Sequence, residues 1–157
     1  MKTIALKGGG FAIVDDEDFG EISLSKWRLD TKGYAVTAVK IKGRRKFLFM
    51  HRQICKTGYE FEVDHKNGNR TDNRRSNLRI ANRAENSRNQ MMRSNNKSGF
   101  KGVCKRGTKW IATIGKDNRH FHLGCFSTAK LASEAYDAAA LKLHGEFART
   151  NVMIACE

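Results

Sequence analysis

Asp64 and His65 adjoin in the run Glu62-Val63-Asp64-His65, and Asn77 and Asn86 follow 12 and 21 residues beyond the histidine. A carboxylate holds a hard cation through oxygen, an imidazole exchanges a proton near neutral pH, and an amide supplies a second oxygen or orients a neighbour. Together these residues point to metal-assisted phosphodiester cleavage. In that chemistry Asp64 and Asn86 are the expected oxygen ligands of one divalent cation. Mg2+ is expected first and Mn2+ second, because such ions take carboxylate, water and phosphate partners. The cation would stabilise charge growing on the scissile phosphate and the leaving 3′ oxygen. His65 is the expected proton acceptor for the attacking water. Asn77 is expected to hold the intervening loop through hydrogen bonds to backbone groups. Singly, each residue has an ordinary reading as a structural or turn residue; their order and spacing make the set.

The elements that must position them follow from the local pattern. Apolar and β-branched runs at Phe11–Val14, Tyr34–Val39 and Phe47–Met50 predict a small antiparallel β unit. Gly8-Gly9-Gly10 lacks the Gly-Lys-Ser/Thr of a phosphate cradle and reads as a hairpin turn. Residues 51–58 read as a short helix capped by Gly58. Next come a strand into Asp64-His65, a loop of turn formers from Lys66 to Asn73, a strand around Leu78-Arg79-Ile80 and a helix over 82–89. That order places Asp64 and His65 at a strand end and Asn86 on the following helix, a ββα-metal arrangement. Residues 91–97 carry no apolar period and read as a basic linker between a domain over 1–90 and another over 98–152. In the second, Phe100–Cys104, Lys109–Ile114 and His120–Gly124 predict three strands. Leu131, Ala135, Ala138, Ala139 and Leu143 predict one face of a helix ended by Gly145. Trp110, Phe121, Phe126, Tyr136 and Phe147 are expected in its core. The fold class is α+β.

Composition sets the partner. Thirty Lys+Arg against 16 Asp+Glu leave a net charge of +14 in 157 residues, which points to a polyanion. Double-stranded DNA leads, through counterion release from phosphates, and an anionic membrane surface is the weaker alternative. No apolar run approaches the ~20 residues of a spanning helix, so the chain is expected to be soluble and cytoplasmic, without membrane or small-molecule cofactor. Cys55, Cys104, Cys125 and Cys156 form no C-x-x-C pair and are expected to be reduced.

The run His51-Arg52, Val63-Asp64-His65-Lys66-Asn67-Gly68-Asn69, Asp72-Asn73-Arg74-Arg75-Ser76-Asn77-Leu78-Arg79 and Glu85-Asn86 resembles the HNH endonucleases, in particular phage and intron homing enzymes whose third motif position is Asn. The resemblance covers roughly residues 1–90 and implies a His-Me finger nuclease. It implies that His65 is the general base, that Asp64 and Asn86 bind the metal, and that Asn77 is the structural middle residue. It further implies 5′-phosphate and 3′-hydroxyl ends, often from a nick. A monomer is expected, so that cutting both strands needs a dimer or two successive events. For a phage-encoded chain the compartment would be the host cytoplasm. His51 could touch DNA or the active site, or be structural support. Arg74, Arg75 and Arg79 could contact phosphates or form a solvated basic face.

Gly99-Phe100-Lys101-Gly102-Val103, Trp110-Ile111-Ala112, Leu123–Thr128, Ala135–Ala139 and Gly145–Asn151 resemble the plant ethylene-response-factor (Apetala-type) DNA-binding domain over nearly all of residues 98–151. The resemblance implies a three-stranded antiparallel sheet packed on one helix, with the sheet's outer face in the major groove. By position, Lys101 and Arg106 match DNA-contacting arginines, and His120 and His122 stand where the family has an Arg and a Trp. Cys104 and Thr113 replace an Arg and a Glu, so the resemblance implies the binding mode but does not fix the target sequence. Arg93, Lys97, Lys105, Lys116 and Arg119 complete the expected DNA contacts, the last two alternatively as turn charges. The expected function is a site-specific homing endonuclease. A catalytically inactive DNA-binding transcriptional regulator is the alternative, and a nonspecific nuclease a third reading.

Overall fold

The computed structural model describes residues 1–90, 92, 95–117 and 119–155. Arg93, expected to contact DNA, and Cys156, expected to be reduced, lie outside the described residues. Two compact units are formed, Met1–Asn86 and Ser87–Glu157. No described helix is long and apolar enough to cross a membrane.

In the first unit, β1 (Lys2–Lys7) turns through Gly8-Gly9-Gly10, all at positive φ, into β2 (Phe11–Val14). Helix α1 (Asp16–Ser23) comes next, then β3 (Trp27–Leu29), β4 (Ala35–Ile41) and β5 (Arg44–Phe49). The sheet order is β2-β1-β3-β4-β5. It is mixed rather than antiparallel, because β1 and β3 pair in parallel, with Leu6 opposite Trp27. The crossover that permits this is α1. Its acidic first turn, Asp16-Glu17-Asp18, suits the positive end of a helix dipole, and Ile22 and Phe19 supply the buried stripe. The Trp27 indole N–H donates to the Ile22 carbonyl at 2.7 Å, fixing the helix end to β3.

Helix α2 (Met50–Cys55) closes on Lys56 in the left-handed region (φ 50°), not on Gly58. Strands β6 (Glu62–His65) and β7 (Leu78–Ala81) form a separate antiparallel pair. Val63 and Leu78 join Ile4, Leu6, Val14, Trp27, Met50 and Ile54 in one core, so the β6–β7 pair is seated on the sheet and α2 by apolar burial. Helix α3 (Arg83–Arg88) begins on a reciprocal capping box. Asn82 N–H donates to Glu85 Oε2 at 2.8 Å and Glu85 N–H to Asn82 Oδ1 at 2.9 Å.

The second unit has β8 (Val103–Arg106), β9 (Lys109–Lys116) and β10 (Arg119–Phe126) in an antiparallel sheet of order β10-β9-β8, with α4 (Ala129–His144) packed on one face. Thr128 Oγ1 caps α4 by accepting from Leu131 N–H, and Gly145 ends it at φ 53°. The buried stripe is Ala132, Tyr136 and Ala140 with Ser133, Asp137 and His144. Leu131 and Ala138, expected on that stripe, are exposed. Phe121, expected in the core, is 43% exposed; its register partner is Ile114, near the turn end of the β9–β10 hairpin. Asn151, opening α5 (Asn151–Ala155), ties the unit together: its Oδ1 accepts from Lys101 N–H at 2.6 Å and its Nδ2 donates to Asp137 Oδ1 at 2.8 Å.

Gly102 sits at φ +74°, and a Cβ there would overlap the Tyr136 ring and lie 2.8 Å from the Thr113 carbonyl oxygen. Both the backbone and the packing exclude a side chain. Gly102→Ala is expected to destabilise the second unit by about 3 kcal/mol or more, read as a lowered thermal transition; a transition unchanged from wild type contradicts this packing.

Candidate active site

Strand alternation divides the work of β6. The registers Glu62↔Ala81 and Asp64↔Arg79 put Glu62, Asp64 and Arg79 on one face, while Val63 and His65 pair with Ile80 and Leu78 on the other. Val63 and Leu78 are core residues, so His65 points to the interior side and Asp64 away from it.

His65 is buried in a box of rings. Its centroid lies 5.2 Å from His51, edge-on at 85°, and 5.9 Å from Tyr34. Tyr34 and Phe49 also flank His51, at 5.2 and 5.5 Å. His65 Nε2 also lies 3.3 Å from Asn73 Oδ1, which orients the ring. Burial lowers the His65 pKa below the ordinary histidine value, against the raising effects of the Asn73 hydrogen bond and the Asp64 and Asp72 charges. The neutral imidazole, the form that accepts a proton, is therefore favoured.

Asn73 is delivered by a pinned loop. Asn77 Oδ1 accepts from Asn67 N–H at 3.0 Å and Asn77 Nδ2 donates to the Asp72 carbonyl at 2.8 Å, so one amide ties both limbs. The loop is also stitched to β2: Ile13 N–H donates to the Thr71 carbonyl and Asn73 N–H to the Ile13 carbonyl, each at 2.8 Å. Asp72 accepts from Asn67 Nδ2 and from Arg74 Nε and Nη2, and the Arg74 bond leads in lowering its pKa.

On the opposite face, Arg79 Nε and Nη2 donate to Asp64 Oδ2 at 2.8 and 2.6 Å, and the two side chains are only 9% and 7% exposed. Asn86, on α3, donates from Nδ2 to Glu62 Oε2 at 3.4 Å, which turns its Oδ1 away from Glu62. An Asp carboxylate and an Asn carbonyl are oxygen donors suited to a hard divalent cation. Among the described residues no group of three His, Cys, Asp or Glu could hold a metal. An ion would therefore complete its shell with water and phosphate oxygens.

The basic residues named from sequence have diverse placements. Arg75 does not lie on an open basic face; it clamps α1, donating to both Asp18 oxygens at 2.9 and 2.7 Å and pairing with Glu17. Arg74 is committed to Asp72 and Arg79 to Asp64. Lys101 is turned inward, its Nζ donating to the Arg88 and Gln90 carbonyls, and burial with the Arg149 charge lowers its pKa to about 8. By register, Arg106, His120 and His122 lie on the sheet face away from α4, with Cys104, Lys109, Ile111, Thr113 and Cys125. Lys105, Lys116 and Arg119 alternate onto the other face, and Lys97 is exposed. Cys55, Cys104 and Cys125 are free thiols.

Sequence reasoning missed Asn73, Tyr34, Phe49 and Glu62. Asn73 carried a signal, its place inside the turn-forming run; Tyr34 and Phe49 looked like ordinary strand residues, and their convergence on the His51–His65 pair, Tyr34 on both rings and Phe49 on His51, depends on tertiary structure.

A profile of HNH endonucleases matches residues 51–88. A protein of Acanthamoeba polyphaga mimivirus named as an uncharacterised HNH endonuclease is 31% identical over 144 residues, covering 91% of this chain and 75% of that protein. An ethylene-responsive transcription factor of Arabidopsis thaliana is 49% identical over 61 residues, 36% of this chain and 23% of the relative, matching the C-terminal region. The chain thus spans under a third of that plant protein. A solved structure of the HNH homing endonuclease I-HmuI, described for DNA binding and cleavage, aligns over 90% of this chain and 79% of its own at 21% identity and a TM-score of 0.38.

Burial, helped by the His65 and Arg52 charges, pulls the His51 pKa down to about 3. Unfolded His51 binds its proton below about 6.5 while the folded residue does not until far lower, so stability falls as pH drops through that window. From pH 7.5 to 5 the His51 contribution is a loss of about 2 kcal/mol. Denaturant melts of His51→Phe should show a correspondingly flatter pH dependence than wild type; equal slopes contradict the assignment.

Proposed function

The chain belongs to the HNH endonuclease family, and from that membership we propose that it is a site-specific, metal-dependent DNA endonuclease of homing type. It nicks one strand to leave 5′-phosphate and 3′-hydroxyl ends. The observation that carries this reading is the two-faced β6 strand, which offers a neutral, oriented imidazole at His65 and a carboxylate at Asp64 from adjacent positions.

His65 accepts a proton from the attacking water, and Asn73 keeps its ring in one orientation while it does so. Asp64 and Asn86 would hold the divalent ion, Mg2+ or Mn2+. When bound, it supplies charge stabilisation at the scissile phosphate and the departing 3′ oxygen. Asn77 acts at a distance, by closing the loop that carries Asn73. The second unit selects the DNA through its outer sheet face, where Arg106, His120 and His122 stand beside smaller neutral side chains. Joining the two units in one chain raises the nuclease's effective concentration at its target, so specificity can reside outside the catalytic residues.

Supercoiled plasmids carrying a random-sequence library, incubated with Mg2+ or Mn2+, are expected to be relaxed by wild type and not in excess chelator. His65→Ala should bind equally and cut about 100-fold more slowly or less, and the wild-type nicks should be sealed directly by DNA ligase. Binding by both proteins without relaxation by either would instead fit the catalytically inactive regulator. For six or more phosphate contacts, affinity of the His65→Ala chain should fall about 10³-fold between 50 and 200 mM salt; salt-insensitive binding would contradict a phosphate-dominated interface.

A further inference from the structure

Asp64 and Arg79 are directly opposite one another across the β6–β7 ladder, and both side chains are more than nine-tenths buried. The guanidinium addresses Asp64 Oδ2 through two nitrogens, at 2.8 and 2.6 Å. Nothing in the metal-ligand reading of Asp64 requires this partner. An unpaired carboxylate this deep would carry a large desolvation penalty. Arg79 offsets that penalty by placing an opposite charge against the carboxylate.

The same arrangement creates a conflict once a metal arrives. A divalent ion bonds carboxylate oxygen at about 2 Å, whereas the guanidinium nitrogens already approach Oδ2 within 2.8 Å. Ion and guanidinium would then stand within a few ångströms of each other, with like charge and little intervening water. Their repulsion opposes loading.

We propose that the Arg79 guanidinium is a built-in counterion that occupies Asp64 until a divalent ion takes the carboxylate, so that Arg79 lowers the metal affinity of the site. This rests on the proposed role of Asp64 as a metal ligand. Arg79 is on this account a positioning residue, and its effect is opposite in sign to that of a merely structural arginine. Removing a structural support would loosen the carboxylate and weaken metal binding; removing a competing counterion strengthens it.

The test is Mn2+ binding to the full chain without DNA, followed by the electron paramagnetic resonance of the free ion, together with thermal melts with and without Mn2+. Arg79→Gln is expected to bind Mn2+ on the order of tenfold more tightly than wild type. It should melt lower than wild type in chelator and gain more from saturating Mn2+, because the ion then replaces the missing cation. Arg79→Lys, which keeps the charge, should remain close to wild type. Equal or weaker Mn2+ binding by Arg79→Gln overturns the proposal, as does a variant that stays unfolded at saturating Mn2+. Asp64→Ala separates the two levels. Loss of binding in Asp64→Ala without tightening in Arg79→Gln overturns the counterion alone, and wild-type binding by Asp64→Ala overturns the ligand role as well.

Discussion

The two hydrogen bonds of the Asn77 amide are the constraint on which the candidate site depends. One side chain accepts from the Asn67 N–H and donates to the Asp72 carbonyl, closing a turn-rich loop that has no regular structure of its own. Asn77 is itself buried, at the mouth of β7, so these bonds form where water competes poorly. Once the loop is closed, Asn73 reaches both the Ile13 backbone and the His65 ring, and Arg75 reaches the acidic first turn of α1. An isolated β6–β7 pair would be marginal. Seated on the shared core and tied by the loop, it becomes a platform that presents His65 on one face and Asp64 on the other.

Charge is distributed with the same logic. The net charge of +14 suggests a uniformly basic surface, yet the arginines next to the site are largely engaged. Arg74, Arg75 and Arg79 each hold a carboxylate, and they build the loop, the first helix contact and the Asp64 environment respectively. Along β4 and β5, Lys40, Arg44, Arg45 and Lys46 are exposed and form no ion pair with a described residue. Sequence counts of Lys and Arg thus report the sign of the partner, while the geometry decides which cations are available to it.

Much of the second half of the first unit was legible because its signals are local. The strand into Asp64-His65, the loop of Asn and Gly, the strand at Leu78-Arg79-Ile80 and the capping-box helix at Asn82–Glu85 each follow from spacing and turn chemistry. The three strands and long helix of the second unit follow likewise. The N-terminal sheet was less legible. Helix α1 lies in an acidic stretch whose apolar markers are only Phe19 and Ile22, and without it the parallel β1–β3 pairing cannot be anticipated. The left-handed cap at Lys56 defeated the glycine rule for the same reason: a lysine at φ 50° is tolerated by context, not announced by residue type. At the candidate site, the residues singled out were visible as types, but the ring box of Tyr34, Phe49 and His51 and the Arg79 clamp arise from long-range pairing that no local pattern encodes.

The account's central claim is that Asp64 on the outward face of β6 and Asn86 on α3 form one cation site, with His65 held apart from it on the inward face. A crystal grown with Mn2+ and measured at the manganese absorption edge tests this directly. The account predicts an anomalous peak within coordination distance of the Asp64 carboxylate and Asn86 Oδ1, with His65 outside the first coordination shell. A peak ligated by His65, or manganese bound only elsewhere on the chain, would contradict it.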